Sequence, residues 1–487
     1  MGFFSKFVSS TILSLFLLLL FVPASIQEQG FVSVVISDKG LDFAKDLLIE
    51  KAISSIIPLQ LPQIEKFVKI PVVGRVQFVL SNITIYSVDV PSSYVENGET
   101  GVVLVGSGAT AKLSMNWKYS YSTWLIEISD DGSASVEVEG MEVGVTVSFE
   151  EQEGTLKLSV LESGCYVQDI SIKMNGGASW LYQGLVDAFE GKIESLVEDT
   201  ISSKIREGIT ELGSLLQSLP KQIEVYDMAA MNVSFVGSPV LSNSSIELDI
   251  NGLFMATNNL VSSFYHMGSV ELVACEASHK MLKISLHEKV FNSVSLVLFN
   301  ADYLHWIFDK VPDQFLLNTS RWKYVIPLLY KKYPDDAMDL NISVSSPPVV
   351  KVVNDDIEMS IYLDVIIDVL DADEVVPVAC VSLEISASCS PKIVGNKLVG
   401  TLELKGFTAY LKWSKIGNLH IHLVQSIMSL ILKTTIIPYA NLYLWKGLPL
   451  PLLHGFSLQN AEISCTDTKL VICSDVAFAQ QFHAFSR

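Results

Sequence analysis

The sequence predicts an α+β fold of two tandem halves, each a long helix wrapped by a twisted antiparallel sheet. Apolar residues recur every three or four positions near 179–217 and again near 418–446, the period of an amphipathic helix. Residues 68–173 and 337–413 instead alternate with period two, the pattern of strands with one apolar face. The order helix, strands, long helix then occurs twice. A repeat of more than 200 residues fits two similar domains rather than a short-period solenoid.

The elements follow in order. Lys6, the run "TILSLFLLLLFV" and Pro23-Ala24-Ser25 predict a secretory signal peptide over 1–24. Cleavage is expected after Ala24, with Val22 and Ala24 at the selected positions, which makes the chain secreted and extracellular. The apolar run is short for a membrane span. Leu41, Ala44, Leu48, Ala52 and Ile56 form a helical stripe over 38–57, capped by Asp38 and stopped by Pro58. Long strands follow. In the helix 179–217, Leu185, Phe189, Ile193, Val197, Ile201, Ile205, Ile209, Leu212 and Leu216 predict burial along most of its length.

In the second half, helices are expected at 288–311 and 320–333, then four strands. A second long helix over 418–446 carries Leu419, Leu423, Ile427, Leu430, Ile431, Ile436 and Leu442. His422, Gln425, Lys433, Pro438 and Asn441 make it a buried core helix rather than a membrane span. The division is therefore 1–24 signal, 25–225 first half, 226–280 linker and central-sheet strands, and 281–487 second half.

Formal charge is −20, and residues 27–220 alone carry 13 basic and 27 acidic residues, net −14. An acidic chain with no basic run is a poor nucleic-acid binder. The six cysteines (165, 275, 380, 389, 465 and 473) show no zinc spacing. In an exported chain some pair as disulfides, with Cys465 and Cys473 favoured because they flank the turn "TDTK". Asn82, Asn232, Asn243, Asn318 and Asn341 head glycosylation sequons. No GxSxG or HExxH occurs, His420 and His422 read as structural, and no acidic group has an EF-hand frame. The sequence thus points to no enzyme, no metal and no cofactor.

Gly101, Gly106, Gly108, Ala109, Gly140 and Gly144 sit in the strands and leave space between sheet and helix. Such a half is either a filled core or a tube around something long and apolar. Burying a methylene is worth about 0.8 kcal/mol against water. A lipid leaving a membrane starts from an equally apolar place, so specificity would fall to head-group contacts and to the surface that meets the membrane.

"ISDKGLDFAKDLL", "GASWLYQGLVDAFEGKIES", "SPPVVKV", "NKLVGTLELKGF", "WSKIGNLHIHLVQSIM" and "KGLPLPLLHGFSLQNAEI" together resemble the bactericidal/permeability-increasing and lipopolysaccharide-binding protein family, most closely its plant branch. The resemblance runs through nearly all of the mature chain. It implies a boomerang of two tubular lipid-binding barrels joined by a central sheet. The expected partner is lipopolysaccharide, recognised in innate defence, or alternatively the organism's own phospholipids, with a membrane or micelle surface. It implies acyl-chain lining by Leu41, Ala44, Leu48, Leu185, Phe189, Ile193 and Leu196, and by Leu423, Ile427 and Leu430 in the second half. The bridge that animal relatives make from the equivalent of Cys165 to the long helix has no partner cysteine here. The tip that is basic in bactericidal relatives keeps only Lys66, Lys69, Arg75 and Lys118. In "NWKYSYSTW", Trp117, Tyr119, Tyr121 and Trp124 are expected either to insert at a membrane interface or to pack across strands.

Overall fold

A computed structural model describes residues 30–478, apart from 71–72, 99, 123, 176–178, 258–278, 311–313, 373, 418 and 454. The side chains of 179–185 and 187 also lie outside the described residues, as do the signal segment 1–24 and Cys275.

Strand β1 (Val32–Ser37) leads directly into helix α1 (Asp38–Ile56). Ser37, not Asp38, caps the helix: its hydroxyl accepts from Gly40 N at 3.4 Å. The first half is an eight-stranded antiparallel sheet. Its main strands are β2 (Ile64–Ile70), β3 (Gly74–Asp89), β4 (Val102–Ser122), β5 (Glu127–Gln152), β6 (Thr155–Tyr166) and β7 (Asp169–Asn175). Strands as long as β4 and β5 must coil to wrap a helix. Bulges do this, with left-handed backbone at Asn82 (φ 51°) and register shifts between Gly106 and Ala111. Helix α2 (Ser179–Gln217) lies chiefly along β6.

The central sheet draws on more of the chain than 226–280. Its order is β8 (Val240–Ser242), β9 (Ser245–Ile250), β1, β10 (Leu282–His287), then the two closing strands of the chain. Val34 pairs with Leu248 on one side and Ile284 on the other, so both halves meet in one ladder.

Helix α3 (Glu288–Asn300) opens the second half, capped by His287, whose Nδ1 accepts from Lys289 N at 3.1 Å. The expected helix to 311 stops at Asn300, with left-handed Asp302 (φ 53°) just beyond and strand β11 (His305–Phe308) following. The expected helix 320–333 is a 3₁₀ turn and a short α4 (Pro327–Lys332), because Pro327 can only start a helix. Then come β12 (Ala337–Val353), β13 (Asp356–Asp371), β14 (Glu374–Val394) and β15 (Lys397–Ser414), all antiparallel. Helix α5 (Ile421–Ile431), a wide π turn (Leu432–Ile436) and α6 (Ile437–Leu444) form the second long helix. It is long and apolar enough to cross a membrane, but only 28% of its most apolar window is buried, so it is a half-exposed cover rather than a core helix. Strands β16 (Phe456–Thr466) and β17 (Lys469–Phe478) close the central sheet. Neither large sheet closes on itself among the described residues, so each half is an open half-barrel capped by helix.

Candidate functional site

Each half has a filled end and an open end. In the first half Phe78, Trp117, Phe189, Ile193 and Val197 form a dense core against β3, β4 and β5. Beyond Val197 the α2 stripe changes character: Ile201, Ile205, Ile209, Leu212 and Leu216 are only half-buried. Burial along most of the helix is therefore not what the structure shows.

In the second half Trp322, Leu329 and Val424 fill one end. Towards the central sheet an apolar cavity of about 320 Å³ opens between α3, the sheet and α6. Phe291, Val294 and Leu298 come from α3, Ile357, Met359 and Ile361 from β13, and Tyr439, Ala440 and Tyr443 from α6. The volume lies in the range of small-molecule sites, roughly 300–1,000 Å³. Polar atoms are few. Ser295 spends its hydroxyl on Pro348 O at 2.6 Å. The tyrosines form a chain: Tyr226 against Tyr303, Tyr303 against Tyr443, and Tyr443 against Tyr439, with the last two hydroxyls 2.9 Å apart. That hydrogen bond, then burial, pushes the Tyr439 phenol up to about 12. The Lys446 ammonium sits 4.5 Å from the Tyr443 ring centroid.

The expected lining residues fall differently. Leu423 and Leu430 are exposed, and Ile427 packs on the filled core; none lines the cavity, which α5 does not reach. The physical reason is position and face: α5 runs along the filled end and buries Val424, Met428 and Ile431 there, while α6, further along the chain, faces the cavity. In the first half Phe189 and Ile193 are buried and Leu196 is half-buried in the filled core. Leu41 belongs to a separate cluster with Val102 and Ile246, Ala44 is half-buried and Leu48 is exposed. The Leu185 side chain lies outside the described residues. Sequence reading missed the tyrosine chain. The pair Tyr439 and Tyr443, four apart on an apolar helix, was its one visible sign.

At the far end of the first half, Trp117 is 1% exposed and Tyr119 is 6% exposed. They stack at 6.0 Å, and the indole donates to Ser133 O at 3.1 Å. A side chain at Gly132 would meet the Trp117 ring at 2.5 Å, so only glycine fits beneath it. These two rings are core, not interface, because the odd-numbered residues from Ala109 to Tyr119 of β4 face inward. Tyr121 packs partly on the same core. Trp124 is 91% exposed, and Leu125 and Ile126 beside it, which sequence reading passed over, are exposed too. Of the cations, Lys66 donates to Ala188 O at 2.6 Å and Arg75 covers the Phe67 ring at 4.5 Å; Lys69 lies across the ladder from like-charged Arg75, and Lys118 across from Asp131.

The expected Cys465–Cys473 bridge is absent. Cys465 pairs in register with Leu470, and Cys473 with Glu462, so their side chains leave opposite faces of the sheet. Cys465 is a free thiol, while Cys473 takes part in a disulfide elsewhere. Cys165 is free, its thiol pushed up to about 12 by burial and then by the Glu198 charge. Among the sequon asparagines, Asn82 and Asn243 are exposed. Asn318 caps a 3₁₀ turn, accepting from Ser320 N and donating to Asp335 O, and Asn341 contacts His305. We expect glycan at Asn82 and Asn243 and none at Asn318 in glycopeptide mass mapping of protein from a secreting host.

On the second sheet Asp339 lies opposite Asp368, and Asp309 is close enough to act on Asp339. Burial first, then the neighbouring carboxylate, raises both Asp339 and Asp368 above the usual range near 3.9. A raised folded-state value means the ionised pair costs stability at neutral pH, and stability is gained as pH falls through the raised values. Asp339→Asn is expected to melt higher than wild type at pH 7, the gap closing towards pH ~4. Parallel melting curves would sink the assignment.

Residues 40–219 match the N-terminal domain, and 224–478 the C-terminal domain, of the family described as LBP / BPI / CETP. An Arabidopsis thaliana protein named for the BPI/LBP family is 54% identical over 95% of this chain and 96% of its own length. The bactericidal permeability-increasing protein of Sebastes schlegelii is 26% identical, covering 94% of this chain and 97% of its own. The lipopolysaccharide-binding protein of Homo sapiens is 25% identical, covering 98% and 99%. A crystal structure of lipopolysaccharide-binding protein superposes with a TM-score of 0.63 at 22% identity, over 92% of this chain and 99% of that one, and so shares the fold.

Proposed function

Because this chain belongs to the LBP/BPI/CETP family, a lipid-binding family, across both of its domains, we propose that it is an exported protein that shelters acyl chains and recognises bacterial lipopolysaccharide through its lipid A. The observation that carries this reading is the second-half cavity, whose wall is almost wholly apolar. Such a wall binds tails and discriminates little between them. The half-buried end of α2 offers a second apolar surface for the same purpose. Selection then rests with the few polar groups of the wall, the tyrosine chain, and with Lys446 against Tyr443. The role is binding, with no chemical step.

Competition for a fluorescent acyl probe tests it. Lipid A is expected to displace the probe at lower concentration than phosphatidylcholine of matched chain length. Equal displacement, or a preference for the phosphatidylcholine, would favour the second reading, a carrier of the organism's own phospholipids. One observation favours that alternative: two of the tip cations, Lys66 and Arg75, are taken up by Ala188 O and the Phe67 ring rather than gathered for phosphates.

Docking on a lipid surface falls in this reading to Trp124, Leu125 and Ile126, at the turn between β4 and β5. Inserting one such side chain gains about 1.5 kcal/mol, close to tenfold in partitioning. Trp124→Ala should therefore weaken vesicle flotation about tenfold and leave the melting temperature unchanged. Undiminished flotation removes the tip from the proposal.

A further inference from the structure

Cys389 and Cys465 are both free thiols, and the fold brings their strands together. Pro391 and Ile393 of β14, with Gly395 just past its end, border the same surface recess as Leu458, Ala461 and Ile463 of β16, so these strands run past each other at the seam between the second half and the central sheet. Cys389 stands two residues from Pro391 and Cys465 two residues from Ile463, and the two thiols are near enough for the charge of one to act on the other. Both pack on the same apolar cluster, with Ile393, Ala461 and Ile463 around them. Cys389 also lines the cavity, and Gly400 beside it carries no side chain: a Cβ there would sit 2.6 Å from the Cys389 sulfur.

We propose that Cys389 and Cys465 form a disulfide under oxidising conditions, stapling β14 to β16 at the central-sheet end of the cavity. The two thiols lose two protons and two electrons to a disulfide such as oxidised glutathione. That oxidant leaves as two reduced thiols, by way of a mixed disulfide that the second cysteine resolves. The bond joins residues distant in sequence, so it removes freedom mainly from the unfolded chain. In the folded chain it fixes one wall of the cavity against the sheet shared by both halves. As thiols, both groups resist ionising, since burial raises each of them, so pairing is slow at neutral pH and needs the oxidant.

The test takes the full chain, reduced and then incubated with oxidised glutathione, through alkylation and peptide mass mapping. The expected result is a linked peptide joining Cys389 to Cys465 beside the link that Cys473 makes, with Cys165 and Cys380 still alkylated. The oxidised chain should melt on the order of 5 °C higher than either oxidised Cys389→Ser or oxidised Cys465→Ser, both of which keep the Cys473 bond. Cys389 and Cys465 each left carrying glutathione, or both still fully alkylated, would mean that the thiols do not meet, and would overturn the proposal. So would a link from either one to a different cysteine.

Discussion

Ala440→Trp is expected to empty the second-half cavity while the chain stays folded. Ala440 lines the cavity from α6, and an indole there projects into space now bounded by Phe291 and Met359. Nothing buried has to be removed to admit it, so the cost is occupancy rather than stability. An acyl chain denied about five methylenes of contact loses about 4 kcal/mol, close to a thousandfold in affinity. Probe titration should show that high-affinity site gone, with any residual binding belonging to the first half. Circular dichroism and the melting curve should barely change. Unaltered affinity and unaltered lipid per chain would mean that tails sit elsewhere.

Trp117→Ala is expected to destabilise the first half by about 3–5 kcal/mol, the range for truncating a buried large aromatic. The ring is 1% exposed, stacked on Tyr119, and hydrogen-bonded to Ser133 O. Truncation leaves a void beside Phe78 and an unpaired carbonyl. Chemical denaturation monitored by far-ultraviolet circular dichroism measures the loss. The contrast with Trp124 is the informative part. The two tryptophans lie seven residues apart on one hairpin, yet one should change stability alone and the other surface binding alone. A Trp117→Ala protein as stable as wild type would contradict the inward assignment of β4.

That contrast also marks what the sequence could tell. Alternation in "KLSMNWKYSYS" states that Trp117 and Lys118 point to opposite faces, but not which face is inside. Met115, Leu113 and Ala111 upstream carry that information, because they share parity with Trp117 and are buried. The repeated order of elements and the long helices were legible because each rests on many residues of one period. The cavity was not, because apolar spacing runs through the whole of 419–444 and does not say which stretch packs the filled end and which faces open space. The pairing of Cys465 failed for a similar reason. A turn between two cysteines suggests nearness, but the register it sets puts Cys473 opposite Glu462, three residues from Cys465 and so on the other face.

The central claim is that the chain carries lipid tails inside its second half. Native mass spectrometry of protein purified from a secreting host without added lipid tests it most directly. We expect a mass excess equal to one or more acyl lipids per chain, released by organic extraction and diminished in Ala440→Trp. A chain whose native mass equals that of its polypeptide and glycans, and which takes up no acyl probe afterwards, contradicts the claim.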